Sequence, residues 1–156
     1  MRDESEIPNK LQAWTYVFVQ ALLLILLVFF NGRIGPQIDR FVFLGCALGL
    51  LGVLGVLICA ATLRRSLTAM PIPKEDGKLS TTGLYRYVRH PMYASVLLLA
   101  LGIALHSGSA IKYLLVALLY FLLYLKSVFE EKYLRLKYSE YTEYSARIPR
   151  FVPFTK

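Results

Sequence analysis

Four apolar runs separated by polar segments of unequal length organise the chain: 14–30, 41–63, 92–105 and 111–129. Crossing bilayer hydrocarbon takes about 20 residues of helix. The second and fourth runs meet that length comfortably, the first is near its lower limit, and the third falls short. Between the first two, "NGRIGPQIDR" gathers Gly32, Gly35 and Pro36, which predicts a tight turn joining antiparallel helices. "HSGSAIK" predicts the same between the third and fourth, with His106 in a turn on the opposite side from the other polar clusters. The pattern predicts an all-α integral membrane bundle of about four transmembrane helices in two hairpins. It reads as a single domain over 1–156, with an N-terminal hairpin at 14–63 and a core at 70–155.

Composition strengthens this reading. With 56% hydrophobic residues in 156, a small soluble domain would carry more apolar surface than its core could hide. Charge then orients the bundle. Fifteen of the 18 Lys and Arg residues fall at the N-terminus, in 64–91 or from Lys126 onward, and only Arg33, Arg40 and Lys112 fall in the other loops. The positive-inside rule therefore predicts cytoplasmic termini, in the cell inner membrane. "MRDESEIPNKLQ" mixes acidic with basic residues, so the first run is expected to stay as a helix and not to be removed as a signal peptide. The net charge of +8 sits at helix ends, which suits anionic lipid headgroups better than nucleic acid.

The second run carries Gly45, Gly49, Gly52 and Gly55. They would let a neighbouring backbone approach closely, although membrane helices also tolerate glycine for no such reason. Cys46 and Cys59 lie thirteen apart in the same run, where they read as small packing residues; neither a disulfide nor a metal site is expected.

The polar segment 66–90 is the longest between runs and contains "TAMPIPKEDGKLSTTGLYRYVRH". About 25 residues without structure would be unusual in so small a protein, which favours a binding loop over a mobile linker. It ends in "RYVRHPMY", two arginines and a histidine at the mouth of a helix whose first turn suits Pro91. After Phe129, the charged and tyrosine-rich "EEKYLRLKYSEYTEYSARIPRFVPF" predicts that the fourth helix runs into the cytoplasm and then turns along the interface.

Lys126 and Glu130 lie one helical turn apart, with Glu131 about 100° further round. A surface ion pair is the plain reading, and the cost of ionisable groups at membrane depth is the argument for a functional one. Guanidinium and imidazole suit a carboxylate or phosphate, carboxylates suit a cation or ribose hydroxyls, and tyrosines suit a cation or a flat ring. S-adenosyl-L-methionine combines these features. There is no strand followed by GxGxxG and no Walker sequence. Spacing alone reaches a membrane protein with a cytoplasmic polar site.

"GLYRYVRHPMY", an apolar hairpin and then "EEKYLRLKYSEYTEYSARIPRFVP" together resemble the C-terminal core of the isoprenylcysteine carboxyl methyltransferase and phospholipid methyltransferase superfamily. The resemblance covers about residues 70–155. It implies an integral membrane methyltransferase using S-adenosyl-L-methionine, with cofactor contacts at Gly77, Lys78, Leu79, Ser80, Tyr85, His90, Pro91, Met92, Tyr93, Glu130 and Glu131. Lys126, Glu130 and Arg89 are the catalytic residues it implies. Two positions depart from the family pattern: Lys126 replaces an arginine implicated in binding a substrate carboxylate, and Ser139 replaces a glycine. The bidentate fork is lost with that arginine, so the expected acceptor widens to a lipid-like or small apolar molecule. Two other readings are an NADPH-dependent membrane reductase of the sterol reductase type and a non-catalytic membrane scaffold. "RHPMY" lacks the asparagine of the reductases, and Lys126 is what motivates the scaffold.

Overall fold

The structure, a computed structural model, describes residues 9–30 and 35–153. Gly32 and Arg33 of the first predicted turn, and the first eight residues, lie outside the described residues. Among the described residues five α-helices follow in order: α1 Lys10–Phe29, α2 Val42–Leu63, α3 Pro91–Ser107, α4 Ala110–Lys137 and α5 Tyr141–Arg147. Short 3-10 turns at Arg64–Ser66 and Gly83–Arg86 punctuate the long polar loop. Among the described residues there is no strand, only an isolated bridge between Gln37 and Ser109.

The helix boundaries follow local chemistry. The Asn9 side chain accepts from the Gln12 N–H at 3.1 Å, capping α1 and starting it before the apolar run begins. With 20 residues, α1 joins α2 and α4 as a helix long and apolar enough to cross a membrane. Pro91 opens α3, where its missing N–H costs no hydrogen bond. Gly108 ends it at φ 67°, a left-handed cap that a side chain would strain. At 17 residues, α3 spans about 26 Å, still short of the roughly 30 Å hydrocarbon thickness. The fourth helix continues past Phe129 to Lys137 and then turns into α5, the extension and the terminal helix that the sequence predicts.

Packing partners are not those of simple sequence neighbours. α2 lies closest against α3, while α1 rests on α4 and α3 bridges to α4. The pairing of the first two helices with each other gives way because the glycine face of α2 is turned to α3. A Cβ added at Gly52 would sit 2.5 Å from the Leu99 backbone nitrogen, and one at Gly102 would sit 2.6 Å from the Gly45 carbonyl. Only bare backbones fit there, so the close-approach reading of these glycines holds. Of the cysteines, Cys59 is buried as expected, whereas Cys46 is exposed and sits 3.7 Å from His106 Nδ1.

Leu27, Ala100, Leu115, Leu119 and Leu123 form the core where α1, α3 and α4 meet. The outward faces of α1 and α2 expose Phe18, Phe29, Phe43, Leu50 and Leu57, as a lipid-facing surface does. The segment before α2 is tied to the turn after α3, with Ile38 N–H donating to Gly108 O at 2.7 Å and Ala110 N–H to Pro36 O at 3.1 Å. At the other end the chain after α5 folds back on the start of α3. Arg89 N–H donates to Pro149 O at 2.8 Å and His90 N–H to Arg150 O at 3.0 Å.

Candidate functional site

Those two backbone bonds fix the residues just before Pro91, and Pro91 then aims the first turn of α3 toward α4. His90 is buried. Its Nε2 lies 3.1 Å from Glu131 Oε1 and its Nδ1 lies 3.7 Å from Glu130 Oε2. Its ring stacks on Tyr93, with centroids 5.3 Å apart and planes 6° from parallel. The Tyr93 hydroxyl donates to Glu130 Oε2 at 2.7 Å.

The paired carboxylates divide their work. Successive helical residues point about 100° apart, so Glu130 and Glu131 meet different surroundings. Glu131, with only 3% of its side chain exposed, also accepts from Arg150 Nε at 3.1 Å and Nη2 at 3.0 Å. Arg89 and Arg135 come within 3.6 Å of it. Burial alone would lower the Arg150 pKa, but the hydrogen bonds it donates to Glu131 outweigh that and raise it. Glu130 keeps 25% of its side chain exposed and faces a cavity.

The long loop forms the other wall, and it is stitched down. Ser66 Oγ accepts from the Lys78 N–H at 3.1 Å. Tyr138 donates to Gly77 O at 2.7 Å, Tyr144 to Tyr85 O at 2.6 Å, and Lys137 Nζ to Glu75 O at 2.9 Å. Burial pushes the Tyr144 hydroxyl up to about 12, with Arg89 pulling weakly the other way. Burial also raises Tyr85 and Tyr141. All three therefore stay neutral and able to donate.

The cavity between loop and helices encloses about 780 Å³, counting its open mouth. Of the residues singled out from the sequence, Gly77, Lys78, Leu79, Ser80, Tyr85, Arg89, His90, Met92, Tyr93 and Glu130 line it. Pro91, Glu131 and Lys126 do not. Pro91 is buried at the helix start and Glu131 stands behind His90. Lys126, 3% exposed, donates to Gln20 Oε1 of α1 at 2.7 Å and to Ala69 O at 3.0 Å, with its ammonium 5.3 Å from the Tyr93 ring centroid. The surface ion pair with Glu130 is replaced by these contacts. Arg89 also borders a second, more open cleft formed with Tyr120, Tyr124 and the chain after α5.

Several participants escaped sequence reasoning. Tyr138, Tyr141 and Tyr144 all line the cavity, and their three-residue spacing was the available signal. Arg150 lay in plain view in "IPRFVP", but nothing local pointed to its carboxylate. Among the described residues, no group of three His, Cys, Asp or Glu side chains gathers to hold a metal.

Residues 41–141 match the family model described as phospholipid methyltransferase. The chain is 34% identical over 105 residues to the cobalt-zinc-cadmium resistance protein CzcN of Cupriavidus metallidurans, which covers 66% of this chain and 48% of that protein. It is 31% identical over 83 residues to protein-S-isoprenylcysteine O-methyltransferase B of Arabidopsis thaliana, covering 52% of this chain and 42% of that one. The chain thus spans less than half the length of these curated relatives. No solved structure matches it.

Proposed function

The chain belongs to the phospholipid methyltransferase family, and on that premise we propose that it transfers a methyl group from S-adenosyl-L-methionine to a lipid-like or small apolar acceptor. The reaction takes place at the cytoplasmic face of the cell inner membrane, with both termini on that side. The observation that supports this best is the convergence of the 77–80 loop, Tyr85, His90, Tyr93 and Glu130 on one cavity.

The groups present suit such a donor. Tyr85, Tyr93 and Tyr138 offer aromatic surface to a sulfonium, and Glu130 offers a carboxylate to ribose hydroxyls or an ammonium. Bound S-adenosyl-L-methionine would supply an activated methyl for in-line displacement, which leaves the protein to align the partners and exclude water. In this reading His90 and Glu130 contact the donor, while Glu131 positions His90 from behind. Lys126 positions Tyr93 from the side of α1. That role differs from the acceptor contact the resemblance implies, because Gln20 and Ala69 already engage the ammonium.

Calorimetry on the purified protein tests the reading. Saturable heat with S-adenosyl-L-methionine is expected, weakened at least about tenfold by Glu130→Ala or by His90→Ala, the loss of one hydrogen bond to a charged group. Heat with NADPH in its place would point to a reductase, and heat with neither to a scaffold. Labelled methyl transfer into a membrane lipid extract then identifies the acceptor.

A further inference from the structure

The second cleft encloses about 1100 Å³, counting its open mouth. Among the described residues Arg89 alone lines both it and the first cavity, so the two are separate spaces. The cleft lies between α4, a helix long and apolar enough to cross a membrane, and the chain that returns after α5.

That chain descends α4 step by step. Arg150 sits with its guanidinium carbon 4.9 Å from the Tyr124 ring centroid. The next residue, Phe151, packs edge-on against Tyr120 at 6.0 Å, four positions and about 6 Å further from the charged end of α4. The cleft therefore has two unlike ends along the membrane normal. Its deeper end is apolar and open, with Val152 57% and Tyr120 51% exposed. Its shallower end gathers Arg89, Arg147 and Arg150, and among the described residues no acidic side chain lines it.

The charge there is not balanced from within. Arg89, Arg135 and Arg150 all approach the single carboxylate of Glu131, which leaves an excess of positive charge. Arg147 pairs with Glu143 on α5, but both are exposed, and water screens such a pair. Guanidinium groups match phosphate oxygens, and tyrosines suit the level where headgroup meets hydrocarbon. A free phosphate would leave the apolar end uncovered. A phospholipid carries both chemistries in this order, and the surplus of positive charge selects an anionic headgroup.

We propose that this cleft holds an anionic phospholipid, with its phosphate against Arg147 and Arg150 and an acyl chain along Tyr120, Phe151 and Val152. This lipid is a fixed part of the fold and not the methyl acceptor. It braces the returning chain, whose Pro149 and Arg150 carbonyls accept the Arg89 and His90 N–H groups, and so steadies the start of α3 from outside the first cavity.

Native mass spectrometry and thermal unfolding of the intact protein in detergent, titrated with dioleoylphosphatidylglycerol or dioleoylphosphatidylcholine, test this. Wild-type protein should retain the anionic lipid preferentially and melt at a higher temperature with it. Arg147→Glu should weaken that retention at least about fivefold, the effect of one surface charge, and Val152→Asp should weaken it by placing a charge beside the acyl chain. Arg86→Glu makes the same charge change at an exposed residue outside the cleft and should leave retention unchanged. Arg147→Gln and Val152→Ser serve, with smaller expected losses, if a charged variant fails to fold. An equal loss in Arg86→Glu, full retention in both cleft variants, or no preference over the zwitterionic lipid overturns the site. So does an equal thermal shift with glycerol 3-phosphate, which would make free phosphate the ligand. A cleft variant that alters the oligomeric state with lipid retention intact assigns the surface to a second copy instead. Retention is read without a methyl donor, so its failure is distinguishable from failure of the methyltransferase reading.

Discussion

Helix α3 is held at two places by opposite means. Along its middle it meets α2 through absent side chains, and a Cβ at Gly102 would stand 2.6 Å from both Gly45 O and Gly49 N. At its start it is held by charge, with His90 and Arg150 on Glu131, and by two backbone bonds that Arg89 and His90 donate to the chain after α5. In hydrocarbon there is no hydrophobic force drawing helices together, so association relies on close van der Waals contact. At the polar end water competes, and only a sheltered, fully bonded carboxylate holds several cations in fixed geometry. The first contact tolerates no added atom, and the second tolerates no lost charge.

That contrast can be broken by mutation. Glu131→Ala should have the largest effect, because it strands His90 and Arg150 without their acceptor. A loss of about 3–5 kcal/mol is expected, measurable as thermal unfolding in detergent, together with loss of cofactor binding. Gly102→Ala should follow at about 1–3 kcal/mol from overpacking. Its folded fraction should bind cofactor normally, and a matching loss of affinity would show that the two contacts are not separable. Tyr93→Phe removes the bond to Glu130, leaving stability within about 1.5 kcal/mol but lowering cofactor affinity severalfold by calorimetry. Tyr144 should give the smallest effect. Its hydroxyl ionises later in the folded chain, near 12, than its ordinary 10.0. The stability it contributes is therefore complete below pH 10 and lost as pH rises through about 12. In Tyr144→Phe that alkaline loss should shrink.

The candidate site was legible where its residues sit in one continuous stretch. The 77–80 loop, Tyr85 and the residues from Arg89 to Tyr93 are neighbours in sequence, and all but Pro91 reach the cavity wall. Glu131 was legible as one of a pair of acids but not as the one that faces away. One residue's step along α4 rotates a side chain by about 100°, and which acid meets the cavity depends on how α4 is set against α3 and the returning chain. Lys126 was read with Glu130 because the two are four residues apart, whereas its partner Gln20 is 106 residues away. Tyr141 carried no local mark separating it from the tyrosines beside it.

What the sequence by itself determined is local in origin. Apolar runs mark helices through their length, Asn9 and Pro91 start two of them, and Gly108 ends the helix that Pro91 starts, in the left-handed conformation. Helical content, membrane character and the motif residues follow from windows of ten to twenty positions, with no need to know what lies across the bundle. Only the tertiary structure decided that α1 rests on α4 and that Glu130 faces the cavity while Glu131 stands behind His90. Each of those depends on the rotation and pairing of whole helices. Close packing between distant segments sets these, and no local pattern along the chain encodes them.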